Sequence, residues 1–109
     1  MNTVHLAFSD IVKNEVVAKV LEKNAGAEIL ASPFFADVII TDNIAKALRL
    51  YNTYKDATVI FVGVLLQRML PLGYDMPNDK RFVRFLPRQG AEFYDAKRLA
   101  TLVTKYQQS

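Results

Sequence analysis

The chain has no cysteine, a single histidine, and only four glycines and four prolines in 109 residues. Without cysteine there is no disulfide framework, no thiolate nucleophile and no thiolate-based zinc site. A reducing compartment fits that absence. The glycines are scattered, which excludes a glycine-rich phosphate loop. His5 stands alone inside an apolar stretch and reads as a packed residue. It has no second histidine for a metal site and no Ser-His-Asp set at a suggestive spacing. No apolar run approaches the roughly 20 residues that span a bilayer. The first residues also lack the basic-then-apolar pattern of a signal peptide. The expected setting is soluble and cytoplasmic, including as one segment of a membrane-anchored protein.

What is present is an ordinary globular composition. Hydrophobic residues make up 51% and charged residues 23%, enough to bury a core and too apolar for disorder. The length is that of one domain, residues 1–109, with no linker or repeat inside it. The net charge of +3 serves solubility as readily as an acidic partner, so it is weak support for a nucleic-acid role.

Periodicity orders the chain. "TVHLAF" (Thr3 to Phe8) reads as a buried strand, and Ser9 or Asp10 then suits a helix cap. "IVKNEVVAKVLEKNAG" has helical spacing. Val12, Val16 and Val20 form one stripe with Val17 and Leu21 beside it, and Gly26 suits a left-handed stop. "AEILAS" and "DVIIT" are the second and third strands, joined by the very short "PFFA". Asn43 caps a second helix with Ile44, Ala47, Leu48 and Tyr51 on one face. "ATVIFVG" is the fourth strand. The stretch from Val64 to Asp79 is irregular, with a helical turn or two around Leu65 to Leu70. "KRFVRFL" alternates like an edge strand, and the last helix turns Ala96, Leu99, Leu102, Val103 and Tyr106 inward.

Apolar strands alternating with helices predict an α/β fold. The expected form is a three-layer, flavodoxin-like arrangement with five mainly parallel strands in the order 2-1-3-4-5. The helix between the second and third strands is reduced or missing. In that order the "PFFA" connection has to cross the first strand as a bare loop, where a crossover ordinarily takes ~10–12 residues.

In such sheets function gathers at the C-terminal tips of the strands. Those tips carry Ser9 and Asp10, then Asp42 and Asn43, then Val62 and Gly63, then Leu86 and Pro87. Asp10 and Asp42 form a candidate acidic pocket, since adjacent carboxylates hold hard cations such as Mg²⁺. The plainer alternative makes both of them polar caps.

The element order, the length and an aspartate ending the third strand resemble the receiver domain of two-component response regulators. In that family the third-strand aspartate accepts phosphate from a histidine kinase, which makes Asp42 the candidate phosphoacceptor position. The match is partial. Ser9 stands where the family has one acid of its Mg²⁺-holding pair. Val62 or Gly63 replaces a hydroxyl, and Leu86 precedes Pro87 where the family has a lysine. Among receivers the chain is most similar to the short receiver-like α/β domain of Rcs-type hybrid sensor histidine kinases. That group shares the bare loop and a "D-x-x-[IL]-T-D-[NE]"-like strand, here Asp37 to Asn43. The resemblance covers about Val4 to Tyr106. It implies a non-catalytic module that docks a response regulator, kinase or phosphotransfer domain, with no cofactor beyond weak Mg²⁺ binding. The domain itself is then not an enzyme, although the parent chain is a kinase. The alternatives are a divergent receiver phosphorylated on Asp42 and a small phosphotransferase-type subunit.

Two further stretches are candidates for contact. Lys80, Arg81, Arg84 and Arg88 lie among Phe82 and Phe85, a pattern that suits an acidic protein surface, single-stranded nucleic acid, or simply a charge-protected edge. The charge-protected edge weighs most among these, then docking to a protein, then nucleic acid, and alternation makes Arg84 the basic residue expected to be partly buried. In the irregular stretch, Met69, Leu72, Tyr74 and Met76 either form a partner patch or fold back over the sheet.

Overall fold

The computed structural model describes residues 3–64, 67–70, 76–88 and 95–107. It is an α/β sandwich around a five-stranded parallel sheet. The strands are β1 (Thr3–Leu6), β2 (Glu28–Leu30), β3 (Val38–Thr41), β4 (Thr58–Val62) and β5 (Phe82–Phe85), ordered β2-β1-β3-β4-β5. The helices are α1 (Ile11–Ala25), α2 (Ile44–Thr53) and α3 (Ala96–Gln107). A single 3₁₀ turn occupies Gln67–Met69, inside the stretch expected to hold a turn or two.

Alternation along the strands builds two cores. Val4 and Leu6 of β1, Val38 and Ile40 of β3, Ile60 and Val62 of β4 and Phe85 of β5 pack with α1 and α3. Ile39, Val59, Phe61 and Phe82, on the opposite face, pack with α2. β3 is buried at all four positions, as expected of a central strand covered on both sides.

Local chemistry sets the helix ends. Asp10 caps α1 by accepting from the Val12 N–H at 2.8 Å, and Asn43 caps α2 by accepting from the Lys46 N–H at 2.9 Å. Gly26 closes α1 at φ 60°, a conformation that costs glycine little.

The expected stripe of α1 is corrected. Val17, Leu21 and Ala25 face the core, while Val12 is 58% and Val16 37% exposed. Asn14 sets this rotation. Its side chain accepts from the Phe8 N–H and donates to the Phe8 carbonyl, so one residue of the first turn is held against the end of β1.

No helix joins β2 to β3. Residues 31–37 cross the face of β1 as a strap on the α2 side, where Ala36 is buried in the core. The Thr3 hydroxyl donates to the Phe35 carbonyl at 3.1 Å, and the Asp37 N–H reaches the Thr3 carbonyl at 3.0 Å, which ties down the far end. The crossing works because the strands are short. Four residues of strand rise only about 13 Å, while seven extended residues reach about 23 Å.

Candidate functional site

All five strands point the same way, so their C-terminal ends share one edge of the sheet. Asp42 lies at the tip of β3, beside the end of β1. The strand delivers it there because Thr41, fully buried, donates its hydroxyl to the Ala7 carbonyl at 2.9 Å and accepts the Asn43 N–H at 3.2 Å.

The Asp42 carboxylate is hydrogen-bonded through one oxygen and ion-paired at longer range through the other. Oδ1 accepts from the Ser9 N–H at 3.0 Å and from the Ser9 hydroxyl at 3.2 Å. Oδ2 lies 4.0 Å from the Lys13 ammonium, whose side chain is only 12% exposed. That ammonium also sits 4.9 Å from the centre of the Phe8 ring. Asp10 shares the edge but turns its carboxylate back to the Val12 N–H, as a cap does. The acidic pair therefore reads as a helix cap and a carboxylate clamped across β1 and β3. Among the described residues, no three of His, Asp and Glu gather where a metal ion would be held.

An open depression of about 410 Å³ adjoins the clamp, lined by Asp42, Asn43, Phe61, Gly63, Val64 and Met69 among others. Gly63 has φ 140°, which a side chain at that position would rarely adopt. Exposed apolar side chains stand along the same edge: Ile11 and Val12 after β1, Val64 after β4 and Leu86 after β5.

Lys13 and Ser9 are the partners that the sequence reading missed. A signal for Lys13 was present: with Asp10 as the cap, it is a cation in the first turn of α1, where the helix dipole disfavours positive charge unless an acid offsets it.

The basic residues of β5 are spread along the strand and do different work. Arg84 is exposed, which corrects the expectation that it is the partly buried one. That position belongs to Arg81, at the opposite edge of the sheet. Its guanidinium lies 4.3 Å from the centre of the Tyr51 ring and donates to the Tyr51 carbonyl at 3.0 Å and the Tyr54 carbonyl at 3.4 Å. It so satisfies carbonyls at the C-terminal end of α2, where a cation is favoured. Beside it, Asp79 accepts from the Arg81 N–H and from the Tyr51 hydroxyl, and these bonds hold its carboxyl below the ordinary value of 3.8. Lys80 is exposed.

Arg88 pairs with Asp95, which precedes α3 and is 1% exposed. The Arg88 backbone N–H and Nε both donate to Asp95, and Arg98 Nη1 reaches it at 2.8 Å from the first turn of α3. The bond from the Arg88 backbone is the largest cause holding the Asp95 carboxyl below 3.8, the arginine charges add to it, and burial opposes it.

In the irregular stretch, Leu70 is buried and Met76 packs against the α2-side core, so this part does fold back on the sheet. Met69 is 46% exposed, and Leu72 and Tyr74 lie outside the described residues. His5 is half-buried. Its Nδ1 lies 2.9 Å from the Leu30 carbonyl, a partner only an N–H can serve. No helix of the described residues is long and apolar enough to cross a membrane. No family model, curated protein or solved structure matches the chain.

Proposed function

We propose that this chain is a non-catalytic, receiver-like docking module of a His-Asp phosphorelay, built on a flavodoxin-like fold and carried by a hybrid sensor kinase. The observation that carries the reading is the clamped Asp42. It sits at the third-strand tip of a 2-1-3-4-5 sheet, where a receiver has its phosphoacceptor, yet Ser9 holds one of its oxygens and the Lys13 ammonium faces the other across 4.0 Å. A nucleophilic carboxylate needs donors arranged for the incoming phosphoryl group. Here Val62 or Gly63 stands where the family has a hydroxyl, and Leu86 where it has a lysine. The exposed Ile11, Val12, Val64 and Leu86 along the same edge are an apolar surface suited to a partner domain.

A second reading, a divergent receiver phosphorylated on Asp42, is favoured by the open depression next to that residue. One titration separates the two. Beryllofluoride with Mg²⁺ mimics an aspartyl phosphate, and amide NMR reads its binding. The docking module shows no saturable shift at Asp42 up to millimolar Mg²⁺. Saturable shifts centred on Asp42, lost in Asp42→Ala, overturn it in favour of the true receiver.

A further inference from the structure

We propose that the open edge of β5 takes up an acidic, extended peptide as a sixth strand. This goes beyond the phosphorelay reading and does not depend on it.

The first observation is the unpaired edge. β5 ends the sheet, and among the described residues nothing pairs with its outer side. The Val59 N–H bonds the Arg81 carbonyl at 2.7 Å, and the Gly63 N–H bonds the Phe85 carbonyl at 2.9 Å. Odd-numbered residues of β5 therefore face β4. The alternation of a parallel ladder then turns the Arg84 N–H and carbonyl, and the Leu86 N–H, outward. Edge addition of this kind draws affinity from main-chain bonds and selectivity from the side chains that flank them.

The second observation is charge. Residues 80–109 hold seven cations, Lys80, Arg81, Arg84, Arg88, Lys97, Arg98 and Lys105, against two acids, Glu92 and Asp95, a net of +5. The 79 residues before them hold seven cations against nine acids, a net of −2, which completes the chain's +3. Part of this excess flanks the strand, Arg84 on one face and Arg98 on the other, while Arg81 is paired with Asp79, and Lys97 and Lys105 lie beside Asn24 of α1. Arg84 projects on the face of Phe82, toward the α2 layer, and has no acidic partner among the described residues. On the other face Arg98 covers the Phe85 ring at 5.0 Å. Arg88, just past the strand, shares the single Asp95 carboxylate with Arg98, so this group also keeps a surplus of positive charge.

This arrangement selects its occupant. A second copy of the same edge is repelled, as charged edge strands generally are from one another. Single-stranded nucleic acid needs exposed rings to stack its bases. Phe82 and Phe85 are each only 8% exposed, and the exposed Phe34 and Phe35 belong to the strap over β1 rather than to β5. An acidic strand meets both requirements at once.

The test is an amide NMR titration of the full chain with a capped decapeptide of alternating Glu and Val. Saturable shifts are expected at Arg84 and Leu86, with exchange of the Arg84 amide slowed about tenfold at saturation. Arg84→Glu, an exposed change that leaves the β4 amides in place, weakens binding about tenfold. The same peptide N-methylated at alternate residues keeps its charge and loses its main-chain donors, and it is expected not to bind. Equal binding of the N-methylated peptide overturns the proposal in favour of diffuse charge attraction. Tighter binding of oligo-dT on the same amides overturns it in favour of nucleic acid. Shifts centred away from β5, or none at millimolar peptide, overturn it outright. The beryllofluoride response at Asp42 reads a different edge, so the two proposals fail separately.

Discussion

At the scale of single residues, two carboxylates clamp neighbouring segments together, Asp42 partly exposed and Asp95 buried. Asp42 joins β1 to β3 through Ser9 and Lys13. Removing its carboxylate takes away the Ser9 bonds and the Lys13 ion pair at a partly exposed site, where a hydrogen bond is typically worth about 0.5–1.5 kcal/mol. Asp42→Ala should fall in that range by urea unfolding. Asp42→Asn keeps an oxygen for Ser9 and should cost less, and the reverse order would dismiss the clamp. Asp95 and Asp79 are both held below 3.8, so folding favours their ionised forms. Their contribution is complete above pH 3.8 and disappears as pH falls through the lowered folded-state values. The urea midpoint should therefore drop below about pH 4, and Asp95→Asn should flatten that drop. Asp10, Asn43 and Gly26 were legible in the sequence because a cap is decided by a few neighbouring atoms. Asp95 was not, because its two arginines come from opposite sides of it, one beyond β5 and one inside α3.

At the scale of elements, α2 and α3 followed their apolar spacing, with Ala47 and Leu48 buried in one and Ala96, Leu99 and Val103 in the other. α1 did not. Its valines at 12, 16, 17 and 20 cover too wide an arc for spacing alone to choose the inner face. Asn14 makes the choice through Phe8, a contact that no helical periodicity records. The consequence is measurable. Leu21 is fully buried, so Leu21→Ala should cost about 2–5 kcal/mol. Val12→Ser, at an exposed position, should stay within about 0.5 kcal/mol. Comparable losses at the two positions would place the helix in the other rotation. β5 was read as an edge strand, yet the fate of each basic residue depended on what α2 and α3 brought to it, which is why Arg81 and Arg84 exchanged roles.

At the scale of the whole molecule, the strand order was legible because apolar strands and intervening helices leave few right-handed ways to connect them. The strap was legible as a problem of reach. Four or so residues looked too few to cross β1, and the seven that do so suffice only because the strands are short. The strap also covers one face of β1 and β2 more thinly than a helix would. Phe34 and Phe35 stay 69% and 81% exposed there, the first touching Tyr54 edge-on. The position of β1 between β2 and β3 has a further consequence during synthesis. A strand made before both of the strands that flank it waits for each of them. The second of these is complete only once Thr41 has left the ribosome. Until then "TVHLAF" emerges with two open edges, and such edges are where nascent chains associate with one another. Of the five strands, β1 is thus the one most in need of a chaperone's cover.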